Sequence, residues 1–306
     1  MKEKMNLRGV VSTVITPFFE DKSIDFASYR REIDLGAKSD ILGFLCPCNA
    51  MESAFMSEEE LSKMVTEGVD AAAGRTYIIS SILGKDSETR KQQCEQYMKA
   101  GANALCLNLP YSDDLTEEAY MQAVSEVDAF KPQFLLLQDT SMKDNGLPAE
   151  WIAQAFETFE SVRGCKIEVQ DSEHKYTKMI ELTGGRMNVW GGFGNPATIE
   201  AYDRGCVGMM PSGLFELYSA VNKLYFEKSR EAAQRLFYDF SPILLQLYAG
   251  SKLGNYFHKH YFKRVGVFSE VNFRKETFMD AYQQRICDEM IDMAIALKEK
   301  IPAYWK

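Results

Sequence analysis

The sequence predicts an α/β fold, a (β/α)8 TIM barrel followed by a C-terminal helical extension. Three observations carry this. Eight short apolar runs recur before residue 215, a polar helix-like segment separates each run from the next, and strand signals then stop. Near-continuous apolar strands alternating with helices argue for parallel pairing with both sheet faces covered. Eight such units match a barrel. A doubly wound open sheet is the rival, but it wants a glycine loop to cradle phosphate. The glycines of GGFGNP (191–196) lack that spacing.

The expected strands are GVVSTVITPF (9–18), GFLCPCN (43–49), TYIISSI (76–82), ALCLNLP (104–110), FLLLQD (134–139), GCKIE (164–168), NVWGG (188–192) and VGMMP (207–211). Between them lie amphipathic helices such as 57–74, which opens on the capping box Ser57-x-x-Glu60, and 87–102. KAGA and DRGCVG read as helix ends that turn on glycine into the next strand. Beyond about residue 215 the periodicity is helical, which places a barrel at 1–235 and a helical extension at 236–306.

Composition narrows the class. The chain has 306 residues, 46% hydrophobic and 26% charged, so it can bury a large core. The net charge of −9 and the lack of a basic stripe argue against a nucleic-acid partner. The N-terminal MKEKMNLRG has no apolar signal region, and no run is long enough for a membrane span. Seven cysteines, an odd number in a long chain, favour a reducing, cytoplasmic setting and buried thiols. Cys46 and Cys48 lack a second ligand pair, and His258 and His260 diverge on an expected helix, so no metal is expected.

The stretch SVRGCKIEVQD raises the functional question. Lys166 and Glu168 stand two apart on an expected strand and share a face. A barrel interior would desolvate Lys166, lower its pKa and free its amine to attack a ketone as a Schiff-base nucleophile. The other reading is a structural lysine paired to a carboxylate, and spacing alone leaves the two level.

GVVSTVITPF, GCKIE and GGFG with RGCVGMMPS carry a resemblance. Together they resemble the dihydrodipicolinate synthase/N-acetylneuraminate lyase superfamily, the pyruvate-type class I aldolases, along essentially the whole chain. The resemblance implies that Lys166 forms an imine with a small 2-keto acid, that no cofactor is needed, and that the assembly is a homotetramer. Thr13, Gly192 and Met209 come with these stretches as supporting residues. The family's Gly-Thr-Thr-Gly-Glu carboxylate loop is here Cys48-Asn49-Ala50-Met51-Glu52. Asn49 and Ala50 are therefore the expected carboxylate binders and Glu52 a brace. Tyr-Asn-x-Pro on strand 5 is here QDTS, so Gln138 replaces the proton-relaying phenol. After strand 4 the family's Pro-Tyr-Tyr is Pro110-Tyr111-Ser112, so Tyr111 remains as a candidate catalytic phenol facing a neighbouring subunit. The family's arginine falls near Lys143.

A neutral amide cannot act as a general acid or base, so Glu168 becomes the candidate proton carrier. Gln-Asp on strand 5 with Lys-x-Glu on strand 6 resembles the branch of 2-keto-3-deoxy sugar-acid dehydratases. The expected function is dehydration or aldol cleavage of such an acid. The alternatives are condensation of pyruvate with an aldehyde, or a catalytically lapsed barrel that binds a keto acid.

Overall fold

The computed structural model describes residues 2–110, 112–141, 144–192, 196–248, 253–275 and 277–306. Eight parallel strands form one sheet in chain order: β1 (Val11–Thr13), β2 (Gly43–Leu45), β3 (Tyr77–Ile82), β4 (Ala104–Asn108), β5 (Phe134–Thr140), β6 (Val162–Glu168), β7 (Asn188–Gly191) and β8 (Gly208–Met209). A bridge between Thr13 and Ser212 joins the last strand to the first, helped by Gly9 N–H to Val207 O at 3.1 Å and Thr13 N–H to Pro211 O at 2.9 Å. The expected barrel is the observed one, with each strand inside or overlapping its predicted run.

The helices of the outer layer are α1 (Phe26–Lys38), α2 (Glu58–Ala72), α3 (Ser87–Lys99), α4 (Glu117–Asp128), α5 (Ala149–Thr158), α6 (Ser172–Leu182), α7 (Thr198–Asp203) and α8 (Phe215–Lys223). Ser57 and Glu60 make the predicted capping box on α2, each side chain accepting from the other residue's N–H, at 3.2 and 3.0 Å. Gly101 and Gly205 take positive φ where α3 and α7 turn into the next strands.

Three further helices follow: α9 (Arg230–Tyr248), α10 (Leu253–Arg264) and α11 (Ala281–Lys300). The expected boundary at 235/236 falls inside α9. The chain breaks earlier, at Ser229, which adopts an extended conformation and caps α9 by accepting from Ala232 N–H. No described helix is long and apolar enough to cross a membrane.

One irregularity sets the site. Leu135 pairs with Val162 but Leu136 pairs with Gly164, so Arg163 is an extra residue in β6. Gly164, Lys166 and Glu168 then share one face, in register with Leu136, Gln138 and Thr140. Below them Trp190 on β7 fills the barrel. It is fully buried, its indole N–H donates to Gly9 O at 2.9 Å, and Gly164 and Gly208 leave room for its ring where a Cβ would collide.

Candidate active site

Chemistry in this architecture sits at the C-terminal ends of the strands. There, Lys166 Nζ lies 2.9 Å from Glu168 Oε1, and Gln138 donates its amide N–H to Glu168 Oε2 at 2.6 Å. Lys166, Glu168 and Gln138 are all at least nine-tenths buried. The alternation of β6 puts the amine and the carboxylate on one inner face, and the β5 register puts Gln138 directly beside Lys166. Gln138 thus fixes the carboxylate's orientation. Gly192 stands against Glu168, and a Cβ there would fall inside the glutamate side chain. Near Glu168, burial and the carboxylate's charge both push the Tyr248 phenol up.

Around this group the loops carry the rest. Asn49–Met51 form a single 3-10 turn after β2, with Asn49 exposed and Ala50 half-buried. The Met51 N–H closes the turn on Cys48 O at 3.4 Å, and the Val14 N–H donates to Leu45 O at 3.3 Å. Burial pushes the Cys48 thiol up to about 11, while the Lys166 charge pulls it the other way. Cys106, one step down β4, also feels the Lys166 charge, and burial pushes it up to about 12.

Glu52 is a brace. It is buried at positive φ, and its Oε1 accepts from Lys259 Nζ at 2.5 Å. Its Oε2 accepts the N–H groups of Arg274 at 2.9 Å and Lys275 at 2.8 Å. Lys259, on α10, also donates to Asn272 O at 2.7 Å and lies over the rings of Phe18 and Phe273 at 4.6 and 4.5 Å. Burial lowers its pKa to about 8, against the opposing pull of Glu52. Thr16 Oγ1 donates to Met51 O at 2.8 Å, tying the β1 and β2 loops together.

Other predicted residues lie apart. Thr13 sits at the seam, its hydroxyl donating to Ser212 Oγ at 2.8 Å. Met209 pairs with Gly191, which pairs with Ile167, so it shares the face opposite Lys166. Its side chain packs by Gly191 and Tyr176 in the helix layer and not in the site, because β8 is only two residues long and its facing follows from the register. Tyr111 and Lys143 lie outside the described residues. Asp139, beside Gln138, faces outward. Its Oδ2 pairs with the buried Lys175, and its Oδ1 accepts from Leu147 N–H at 2.8 Å, pinning the loop after β5. Sequence reasoning missed both: Lys259 stands between the two histidines weighed only as metal ligands, and Lys175 lies in no motif.

The seven cysteines are all buried and free. Among the described residues, no group of three or more His, Cys, Asp or Glu is gathered as a metal site would need. A described cavity lies away from this group. It has a volume of about 520 Å³, is lined by Arg8, Gly9, Asp40, Tyr77, Asn222 and Lys223, and is at the opposite end of the barrel.

Residues 6–237 match the model of the dihydrodipicolinate synthetase family. The chain belongs to that family. An uncharacterised DapA-like lyase of Thermococcus kodakarensis is 23% identical over 238 residues, 75% of this chain and 81% of that one. A 4-hydroxy-tetrahydrodipicolinate synthase of Methanococcus vannielii is 22% identical over 240 residues, 76% and 81% of the two chains. Among solved structures, the 4-hydroxy-tetrahydrodipicolinate synthase of Methylacidiphilum fumariolicum SolV superposes with a TM-score of 0.85 at 17% identity, covering 98% of this chain and all of that one. The N-acetylneuraminate lyase of Fusobacterium nucleatum gives 0.80 at 15% identity, over 96% and 99%. At these identities the structural likeness speaks for the barrel. The dihydrodipicolinate synthetase family belongs to the superfamily of pyruvate-type lyases of the class I aldolase kind, as the sequence motifs led one to expect.

Proposed function

We propose that this member of the dihydrodipicolinate synthetase family is a Schiff-base-forming lyase that dehydrates or cleaves a 2-keto-3-deoxy sugar acid. The observation that carries the reading is the buried trio of Lys166, Glu168 and Gln138. Lys166 passes its proton to Glu168, the free amine attacks the keto carbon, and Glu168 returns that proton as the carbinolamine hydroxyl leaves as water, so a protonated imine and a free carboxylate remain. That imine acidifies the C3 proton. Glu168 removes it, and the same proton can pass to the C4 hydroxyl as the C4–O bond breaks. The products of this step are a C3–C4 double bond and water. Gln138 cannot carry a proton, so it supports dehydration through Glu168 rather than a phenol relay.

The loop Cys48-Asn49-Ala50-Met51, without the family's paired threonines, favours a second reading, a barrel of this family that has lost its grip on the keto-acid carboxylate. Borohydride reduction in the presence of pyruvate separates the two. A mass increase on Lys166, absent in Lys166→Ala, supports the lyase; no reduction onto any lysine supports the lapsed barrel. A screen of 2-keto-3-deoxy acids for turnover then tests the substrate. Homotetramer assembly and a cytoplasmic setting are part of the proposal, and light scattering at micromolar concentration tests the first.

A further inference from the structure

Three strand-borne polar atoms near Lys166 are buried without a partner: Asn108 Oδ1, Thr140 Oγ1 and, one layer deeper, Ser81 Oγ. The ladder aligns Asn108 with Gln138 and Gln138 with Lys166, while Thr140 aligns with Glu168. All therefore face the barrel interior, Asn108 and Thr140 at the level of the amine or above it and Ser81 below. Asn108 is only 6% exposed, so solvent does not serve its oxygen. A buried acceptor with no protein donor is costly, so it calls for a donor from outside the chain. Adjacent strands lie about 4.8 Å apart, which sets the Asn108 backbone about 10 Å from that of Lys166. The two side chains take up part of that gap, and the remainder suits the few carbons beyond a keto carbon held on the lysine.

We propose that Asn108 and Thr140 form the subsite that reads the hydroxyl groups on the substrate's carbon chain, beyond the keto carbon. This rests on the lysine-imine reading and names what that reading leaves open. The group bound at Asn108 Oδ1 must donate a proton, as a hydroxyl does. A second carboxylate would meet an acceptor beside the Glu168 carboxylate, and among the described strand residues Lys166 is the one cation on the inner face. Thr140 Oγ1 donates or accepts, so it suits the next hydroxyl along the chain.

The test is competition for borohydride trapping by pyruvate. The competitors are both C4 epimers of 2-keto-3-deoxypentonate and 2-oxopentanoate, which has the same length without hydroxyls. The intact protein should prefer one hydroxylated epimer over 2-oxopentanoate by about ten- to a hundredfold, the worth of one or two buried hydrogen bonds. Asn108→Leu, or the nearly isosteric Thr140→Val, should bring that ratio close to one. Absence of the preference in the unaltered protein would overturn the proposal, as would an unchanged ratio in both variants. Loss of pyruvate trapping in both variants would also overturn it, since the side chains would then be holding Lys166. If the unaltered protein is not trapped by pyruvate at all, the imine reading itself fails.

Discussion

Lys259 Nζ lies 2.5 Å from Glu52 Oε1, although 207 positions separate the two residues. The pair links the C-terminal extension to the loop beside Lys166, and Arg274 reinforces it by pairing with Glu60 on α2. The extension is thus fastened to the loops around the candidate site.

Removing the lysine should therefore loosen that loop. In Lys259→Met, Glu52 is left buried without its cation, a loss of about 3–5 kcal/mol. The variant should melt earlier and need more pyruvate for half-maximal borohydride trapping, while Lys259→Arg should recover part of both. Unchanged trapping in a destabilised Lys259→Met would confine the lysine to stability.

Glu168→Gln should still form the imine with pyruvate, because the amide is nearly isosteric and keeps an oxygen near Lys166. It cannot accept a proton, so turnover should fall about 100- to 10,000-fold. Near-normal turnover would make the carboxylate structural.

Gly192→Ala should mimic that loss without touching the carboxylate's chemistry. The added methyl occupies the space of the Glu168 side chain, so the carboxylate must swing away from Lys166. Folding should survive, since the clash is with a side chain. Turnover equal to that of the unaltered protein would show that Glu168 works from another position.

His258 offers a test of stability against pH. Burial lowers its pKa from the ordinary 6.5 to about 3, and its Nδ1 has no partner. Between those values the unfolded chain binds the extra proton, so stability is full above about pH 6.5 and is lost as pH falls towards 3. Thermal melts from pH 7 to pH 4 should fall more steeply for the unaltered protein than for His258→Phe. Parallel slopes would mean that the carboxylates alone set the acid limit.

Much of the barrel was legible because buried parallel strands need apolar residues on both faces, which leaves eight plain runs. Lys166 and Glu168 could be paired from strand alternation alone. The facing of Met209 could not, since a two-residue strand has no countable period. The extra Arg163 in β6 changes facing by register, and register is a property of two strands. The Lys259–Glu52 contact depends on how a distant helix docks.

Trp190 has a kinetic meaning as well as a packing one. Its indole, bound to Gly9 O, stands between the Lys166 layer and the basal cavity that Gly9 lines. The barrel is in effect a blind tube. On the proposed lyase reading, keto acid, released water and product all exchange through the mouth above Glu168. Each turnover then has to empty the vessel before refilling it, and a spent fragment lingering at the lysine competes directly with fresh substrate.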